Sequence, residues 1–544
     1  MRKELCGLWH PSVPRWIGCR DSKDSMYAPL PPWWWDSIHI ERRGALAPTP
    51  SMQNMLYLPL DSRPCNLRFP VQLLACAGVT CVVPPVSMLD CFTRPSDLKA
   101  VRDFLAKQAP KVDTLLLSVD QLVYGSLLAS REPDIGEAEA LSRLAWIRSL
   151  KAAHPRLEII AFSVVMRTSI STLRAEDLAA YHAVTEYSQA SHRAKLSGSA
   201  QDQAEVVRIR AQIPADVLVK YTAVRGRNHA VNRACIPLVA EGVFDRLLLL
   251  QEDSQPLGFH KLEQAVLLED IDARGLSGRI AVHNGTDEGG CLAAAMAARR
   301  PLRLHVRELG GGDCAFVAKY EDRPFVQNIE SQCRVAGIEL VDLAHADKVL
   351  CVLGPGGAPQ ADVYDLVESP EAAARLRALA AELAGLLDAC DKPVALLDVY
   401  VANGGSVTFM HALAQRADPL RLCGYAAWNT ASNALGTVLA QLALGGAGTC
   451  NDLFTVERLL DDLLYEGVVR ARLRDALEAL GEDVLHLGDQ ARAEAVLRKL
   501  MAEAVAETPV FADALVDARY SLPWPRIFEA QVEVHGVTRS KKEG

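Results

Sequence analysis

The chain is short of positive charge: its 544 residues carry 58 Lys+Arg against 67 Asp+Glu, a formal charge of −9 with His neutral. Charged residues make up only 23% and no long basic run occurs, so the basic face that holds a phosphate backbone is missing and nucleic acid is not an expected partner. No segment joins a basic start to a continuous apolar stretch and a small-residue cleavage site, so no secretory signal is read. Membrane spans are absent too. The nearest candidate, 431–448, contains Ser432, Asn433, Thr437 and Gln441 among Ala and Gly, which suits a packed helix better than a bilayer.

The 14 cysteines include no C-x-x-C pair and no regular spacing, which excludes a zinc ribbon and gives no sign of a disulfide scaffold. Cys76, Cys81, Cys351 and Cys423 sit in apolar runs and read as small buried thiols, as in a reducing, cytoplasmic protein. There is no H-x-x-E-H set, and the isolated His260, His283, His305 and His411 read as ordinary residues, so no metal is expected. A G-x-S-x-G elbow is lacking, which disfavours a serine hydrolase. Gly354-Pro355-Gly356-Gly357 lacks the lysine and hydroxyl of a phosphate loop, so no nucleotide cofactor is expected either.

What is present is enough apolar sequence, 50%, to bury a large core, in about two to four domains by length. Residues 1–54 stand apart: they hold Trp9, Trp16 and the run Trp33-Trp34-Trp35, several prolines and no periodicity. They read as a poorly structured extension, with a native start at Met52 or Met55. From Met55 onward short β-branched or Leu-rich runs alternate with loops and amphipathic helices, the pattern of parallel strands with crossover helices. Strands are expected near 56–60, 80–83, 114–118, 158–164, 246–250 and 279–283. A second series is expected near 302–307, 338–343, 349–353, 394–399 and 422–427. This predicts an α/β fold with a TIM-barrel-like first part (55–300) and a second Rossmann- or flavodoxin-like part (301–450). A helical C-terminal region with a solvated tail would follow (451–544). Gly310-Gly311-Gly312 is the best internal boundary, unless it opens an insertion in one large barrel.

In parallel α/β folds ligands sit beyond the carboxyl ends of the strands, and polar residues crowd there. They include Asp61, Arg63 and Asn66; Asp120; Arg167; Glu252 and Asp253; Asp287 and Glu288; Asp398 and Asn403; and Trp428, Asn429 and Asn433. Arg225, Arg227, Asn228 and Asn232 are placed at the start of a helix leading to the fifth strand, where arginines and amides suit a phosphate or carboxylate.

The stretches LPLDSRPCN (58–66), SVDQLVYGSLLASR (118–131), RGRNHAVNRA (225–234), LLQEDSQPLG (249–258), NGTDEGG (284–290), LLDVYVANGG (396–405) and GYAAWNTASNALGT (424–437) resemble the blocks of an uncharacterised bacterial family, the domain of unknown function numbered 4127. The resemblance runs from about Met55 to Gly445 and supports the α/β fold and the choice of motifs. It implies no settled activity. Glu252 departs from it, standing where an aspartate is expected.

The acid pairs Glu252-Asp253 and Asp287-Glu288 end consecutive strands. Neighbouring carboxylates can split into a protonated acid and an ionised base or nucleophile, as glycoside hydrolysis requires; the plain alternative is that one acid of each pair caps the next helix. Asp61 equally well turns the chain with Arg63 as its partner, and Trp428 is either core or a stacking platform for a sugar ring. The reading is a carbohydrate-active enzyme without a cofactor, most directly a glycoside hydrolase. Asp253 would be its general acid and Glu252 or Asp287 the charged partner. A substrate-assisted mechanism, a sugar transferase with Arg225 and Arg227 on phosphate, and a non-enzymatic sugar sensor are the alternatives. The expected partner is a small sugar-like molecule, and a homo-oligomer remains open.

Overall fold

A computed structural model of the chain describes residues 54–174 and 176–539. The expected N-terminal extension and the alternative start at Met52 lie outside the described residues. The described residues form one compact unit.

Two parallel sheets organise it. The first has strands β1 (Asn54–Leu58), β2 (Thr80–Val82), β3 (Thr114–Ser118), β4 (Glu158–Val165), β5 (Arg246–Gln251) and β6 (Ile280–Asn284) in the order β2-β1-β3-β4-β5-β6. The second is built from β7 (Leu302–Glu308), β8 (Ile338–Leu340), β9 (Lys348–Leu353), β11 (Val394–Asp398) and β13 (Tyr425–Ala426) in the order β13-β11-β9-β7-β8. Two short strands, β10 (Ala361–Asp362) and β12 (Val401–Ala402), pair beside it. Every strand expected from the sequence is present, because sheets covered on both faces need near-continuous apolar runs such as Thr114–Ser118, which is buried throughout.

The first sheet is not a barrel. It is open, with β2 and β6 as its edges, because the chain steps from β1 to β2 on one side and then returns across β1 to β3. A barrel needs every step in the same direction, and alternation of strands and helices does not reveal that direction. Both sheets follow the doubly wound pattern, in which the reversal point opens a crevice at the strand carboxyl ends. The boundary also differs from the triple-glycine expectation: β7 already belongs to the second sheet, and Gly310-Gly311-Gly312 merely follow it.

Helices cover both faces of each sheet. One core cluster lies between the sheets, joining Tyr57, Phe162 and Leu250 of the first to Leu350, Val352 and Leu397 of the second through the helices Gly289–Ala298 and Ala431–Leu444. The stretch once weighed as a membrane span is thus a core helix, and no helix among the described residues is long and apolar enough to cross a membrane.

The C-terminal region is helical only in part. A continuous helix runs from Thr449 to Ala479, with a π-helical middle at Leu459–Val469, and another spans Gln490–Glu507. An antiparallel hairpin of β14 (Ala514–Ser521) and β15 (Gln531–Arg539) ends the described chain, and most of the expected tail, 540–544, lies outside the described residues. β14 alternates partly buried and exposed positions and β15 begins by alternating partly and fully buried ones, a half-buried pattern that the flanking Leu- and Ala-rich helices mask. Cys76 and Cys450 form a disulfide, so Cys76 is not a free thiol and the argument for a reducing compartment lapses. Residues 374 apart in sequence cannot be paired by spacing alone. Cys351 is a free buried thiol, and Cys81 and Cys423 are free and partly buried.

Candidate functional site

Where β1 ends, the chain turns through Pro59-Leu60-Asp61 into the helix Pro64–Cys76, whose first position is a proline with its φ already suited to a helix. The turn is fastened by Asp61, whose Oδ1 accepts the Arg63 backbone N–H at 3.1 Å. The Arg63 guanidinium then bridges two strand ends: Nη2 donates to Asp61 Oδ2 and to Asp287 Oδ1, each at 2.6 Å. Asn66 Nδ2 donates to the same two carboxylates at 2.9 and 3.1 Å. From the second sheet Asn429 Nδ2 reaches Asp287 Oδ2 at 3.1 Å, and Asn433 Oδ1 accepts the Thr286 and Asp287 N–H groups. The plain reading of Asp61, a turn with Arg63 as its partner, is the one these contacts show. Burial presses the Arg63 pKa down, but Asp287 and Asp61 more than reverse this and hold it well above the usual arginine range.

A second group lies at the ends of β4 and β5. Glu252 and Asp253 would face opposite sides inside a strand, but β5 has ended at Gln251, so both reach one guanidinium. Arg167 Nη2 donates to Asp253 Oδ2, and its Nη1 lies 3.7 Å from Glu252 Oε1. Arg131 donates to the same Glu252 oxygen. Beyond β3, Asp120 Oδ2 accepts the Val164 N–H at 2.8 Å. Its carboxyl is pushed up to about 7, first by burial, with the Val164 hydrogen bond opposing and the Glu252 charge adding to the rise.

A third group lies beside the second sheet, around the β10–β12 pair. Asp362 Oδ2 accepts from Asn403 Nδ2 at 2.8 Å and from the Tyr320 hydroxyl at 3.1 Å. The three groups are linked through the backbone: Ser254 N donates to Tyr320 O at 2.7 Å, and Asn403 N to Asn429 O at 2.8 Å. Tyr320, Asn403 and Asn429 all have positive φ, 69°, 63° and 55°. Asparagine tolerates this region, but for tyrosine it is strain of the kind that collects at functional sites. A cavity of about 30 Å³, room for about one water, lies among Arg63, Asn403, Trp428, Asn429, Glu466 and Arg470. Trp428 lines it while its ring packs edge-on against Phe69, with centroids 6.1 Å apart.

This chain is a member of a family of unknown function. The family described as "Protein of unknown function (DUF4127)" matches residues 55–533, nearly the whole described chain. No curated protein and no solved structure matches it.

Other residues singled out from the sequence stand behind this family member's site. Arg225 and Arg227 lie in the interior of the helix Ala215–Ala240, not at its start, so no helix N-terminus presents them to a phosphate. Both are spent. Arg225 holds Glu263 and the Arg167 carbonyl, while Arg227 holds the Ser130, Glu132 and Ile135 carbonyls. Asn228 also donates to the Ser130 carbonyl, and Asn232 to Ser163 Oγ and the Val164 carbonyl. These four brace the loops that carry Arg131 and Arg167. Asp398 is fully buried and holds its own loop through the Ser406 and Tyr400 N–H groups.

The Asp287-Glu288 pair divides. Neither side chain caps the helix Gly289–Ala298; Asp287 faces Arg63, whereas Glu288 is fully buried, accepts from Gln332 at 3.2 Å and, chiefly through burial, has a carboxyl pKa raised well above the usual range.

Residues that the sequence reading passed over complete the site. Arg131 closes the stretch 118–131, and only its pairing with Glu252 marks it out. Tyr320 and Asp362 follow no long strand. The loop between β14 and β15 brings Trp524 and Glu529: Trp524 Nε1 donates to Ser62 Oγ at 2.9 Å, its ring lies 5.4 Å from the Arg63 guanidinium, and Glu529 Oε1 is 4.0 Å from Arg63 Nε. The one available signal was Trp524 between two prolines in an otherwise charged tail. Among the described residues no group of three or more His, Cys, Asp or Glu is arranged to hold a metal ion.

Proposed function

We propose that the chain is a carbohydrate-active enzyme, a glycoside hydrolase acting on a small sugar-like molecule. One observation carries this: a carboxyl held near neutrality, Asp120, acts electrostatically on a carboxylate fixed between two guanidiniums, Glu252, at the ends of β3 and β5. Such asymmetry supplies the proton donor and the charged partner that glycosidic cleavage needs. The roles shift from the sequence expectation. Asp253, tied to Arg167, suits the charged role of base or nucleophile, and Asp120 the general acid. Arg131 and Arg167 are paired with Glu252 and Asp253, so their role is to orient these carboxylates.

The test is release of the aryl group from a panel of aryl glycosides, including uronides and 2-acetamido sugars, by the protein and by its Asp253→Asn and Asp120→Asn variants. Turnover by the parent and its loss in Asp253→Asn, with Asp120→Asn inactive on the corresponding unactivated glycosides, whose leaving group needs the proton, supports the reading; full activity of Asp253→Asn on the aryl panel, or of Asp120→Asn on unactivated glycosides, overturns it. A sugar transferase is the second reading, favoured by the way both doubly wound sheets feed one site, with Asn429 of the second on Asp287 of the first. Activity that appears only when an activated sugar is supplied would select it.

A further inference from the structure

A cavity of about 770 Å³ lies at the opposite ends of the strands from the candidate site. It opens where β4, β5, β6 and β7 begin, and the edge strand β6 contributes Ile280, Ala281 and Val282 to its wall. Leu248, Met296 and Val335 add apolar surface. Around it stand Arg246, Arg279, Arg299, Arg300 and Arg334, with only Glu158 and Asp272 as acids. That is an excess of three positive charges (five minus two) in a chain whose formal charge is −9. No lysine lines it.

The arginines do not cancel internally. Arg246 donates to the Gly278 carbonyl, Arg279 to the Phe244 and Asp245 carbonyls, and Arg300 to the Ala77 carbonyl. A carbonyl orients a guanidinium but leaves its charge in place. Only Arg299 meets a carboxylate, that of Glu158.

Arg299 is also where an arginine is least expected. The helices Asp177–Ser197 and Phe325–Ala336 end on Gly198 and Gly337, at φ 65° and 71°, because glycine enters the left-handed region without a Cβ clash. The helix Gly289–Ala298 ends instead on Arg299 at φ 48°. The fold accepts backbone strain to keep a guanidinium at this rim.

We infer that this groove binds a small molecule carrying two or more phosphate groups on an apolar or aromatic body, of nucleotide size. Its volume falls within the range of about 300–1,000 Å³ for such ligands. A guanidinium fork grips phosphate oxygens in pairs, and the apolar wall would take the body. The site is independent of the carbohydrate reading and is tested separately from it.

The experiment is calorimetric titration of the full chain with ATP and, separately, with inorganic tripolyphosphate, at low and at physiological ionic strength. Saturable binding that weakens with salt is expected. Arg334→Glu and Arg299→Gly should each weaken it by about tenfold or more, the scale of one lost charge-assisted contact. Arg299→Gly should do so with an unchanged or higher Tm, since glycine relieves the strain, and this keeps the test sharp if Arg334→Glu fails to fold. Asp253→Asn should bind as the parent does. Tighter binding of ATP than of tripolyphosphate supports the apolar body; equal binding overturns that part. Absence of saturable binding, binding unaltered in Arg299→Gly and Arg334→Glu, or its loss in Asp253→Asn would overturn the proposal.

Discussion

Arg63 and Asp287 are 224 residues apart in sequence, yet the Arg63 Nη2 to Asp287 Oδ1 distance is 2.6 Å. The same nitrogen is 2.6 Å from Asp61 Oδ2, so one buried guanidinium holds the first and last strands of the first sheet's chain order at their carboxyl ends. Neither carboxylate has another cation as close.

Removing that guanidinium leaves two buried carboxylates without their counterion. Arg63→Ala is expected to cost about 3–5 kcal/mol, the usual result of breaking a buried pair from one side. Adding Asp61→Asn and Asp287→Asn should recover much of the loss. Urea denaturation of the parent, the single and the triple variant measures both effects; a single variant as stable as the parent would show that the cluster contributes nothing to folding.

Two glycines in comparable helical settings should respond in opposite ways. A Cβ at Gly436 would lie 2.2 Å from Glu288 Cγ and 3.1 Å from Gln332 Oε1. Glu288 is fully buried and has no room to yield, so Gly436→Ala is expected to destabilise by about 1–3 kcal/mol through overpacking. Gly226, inside the helix Ala215–Ala240, has nothing within 4 Å of a built Cβ. Gly226→Ala is expected to stabilise by about 0.5–1 kcal/mol through helix propensity. Thermal unfolding of the pair decides, and equal shifts would contradict the packing account.

The strands were legible because buried parallel strands must be apolar along their whole length, and Thr114–Ser118 or Arg246–Gln251 could be nothing else. The closure of the sheet was not, since the order of strands depends on which way each crossover turns. Strand-end residues such as Asp61, Arg63, Glu252, Asp253, Asp287 and Asn429 were found by position alone. The same rule brought in Asp398 and Glu288, because a strand end says nothing about whether a side chain turns outward or back into the core. Arg131, Tyr320, Asp362 and Trp524 lie on loops or very short strands whose place is set by distant contacts, such as that of Trp524 Nε1 with Ser62 Oγ. No periodicity records such contacts.

The Cys76–Cys450 disulfide joins the helix that follows β1 to the start of the long C-terminal helix. Closing so long a loop restricts the unfolded chain, and its removal is expected to cost about 2–5 kcal/mol. Cys76→Ala with Cys450→Ala, and the parent under dithiothreitol, should therefore lose Tm by similar amounts, while dithiothreitol should not affect the double variant. A parent insensitive to reduction, with a double variant of equal Tm, would show that the bridge adds no stability.

Asp120 offers a pH signature. Its carboxyl is raised to about 7, chiefly by burial, against about 3.9 in an unfolded chain. Between those values the folded protein keeps a proton that the unfolded chain releases, so the parent loses stability as pH rises from about 4 to about 7 and the cost is constant above that. Asp120→Asn cannot ionise, and its amide oxygen can still accept the Val164 N–H. Relative to the parent, the variant should therefore gain Tm from about pH 4 to about pH 7 and no further above it, whereas parallel Tm curves would mean that Asp120 titrates in the ordinary range. The same proton governs chemistry if Asp120 is the general acid. Parent activity should then fall above about pH 7 as the carboxyl ionises, and Asp120→Asn should be inactive on unactivated substrates at every pH. A parent profile that is flat through pH 7 would assign the acid role elsewhere even if the stability signature is found.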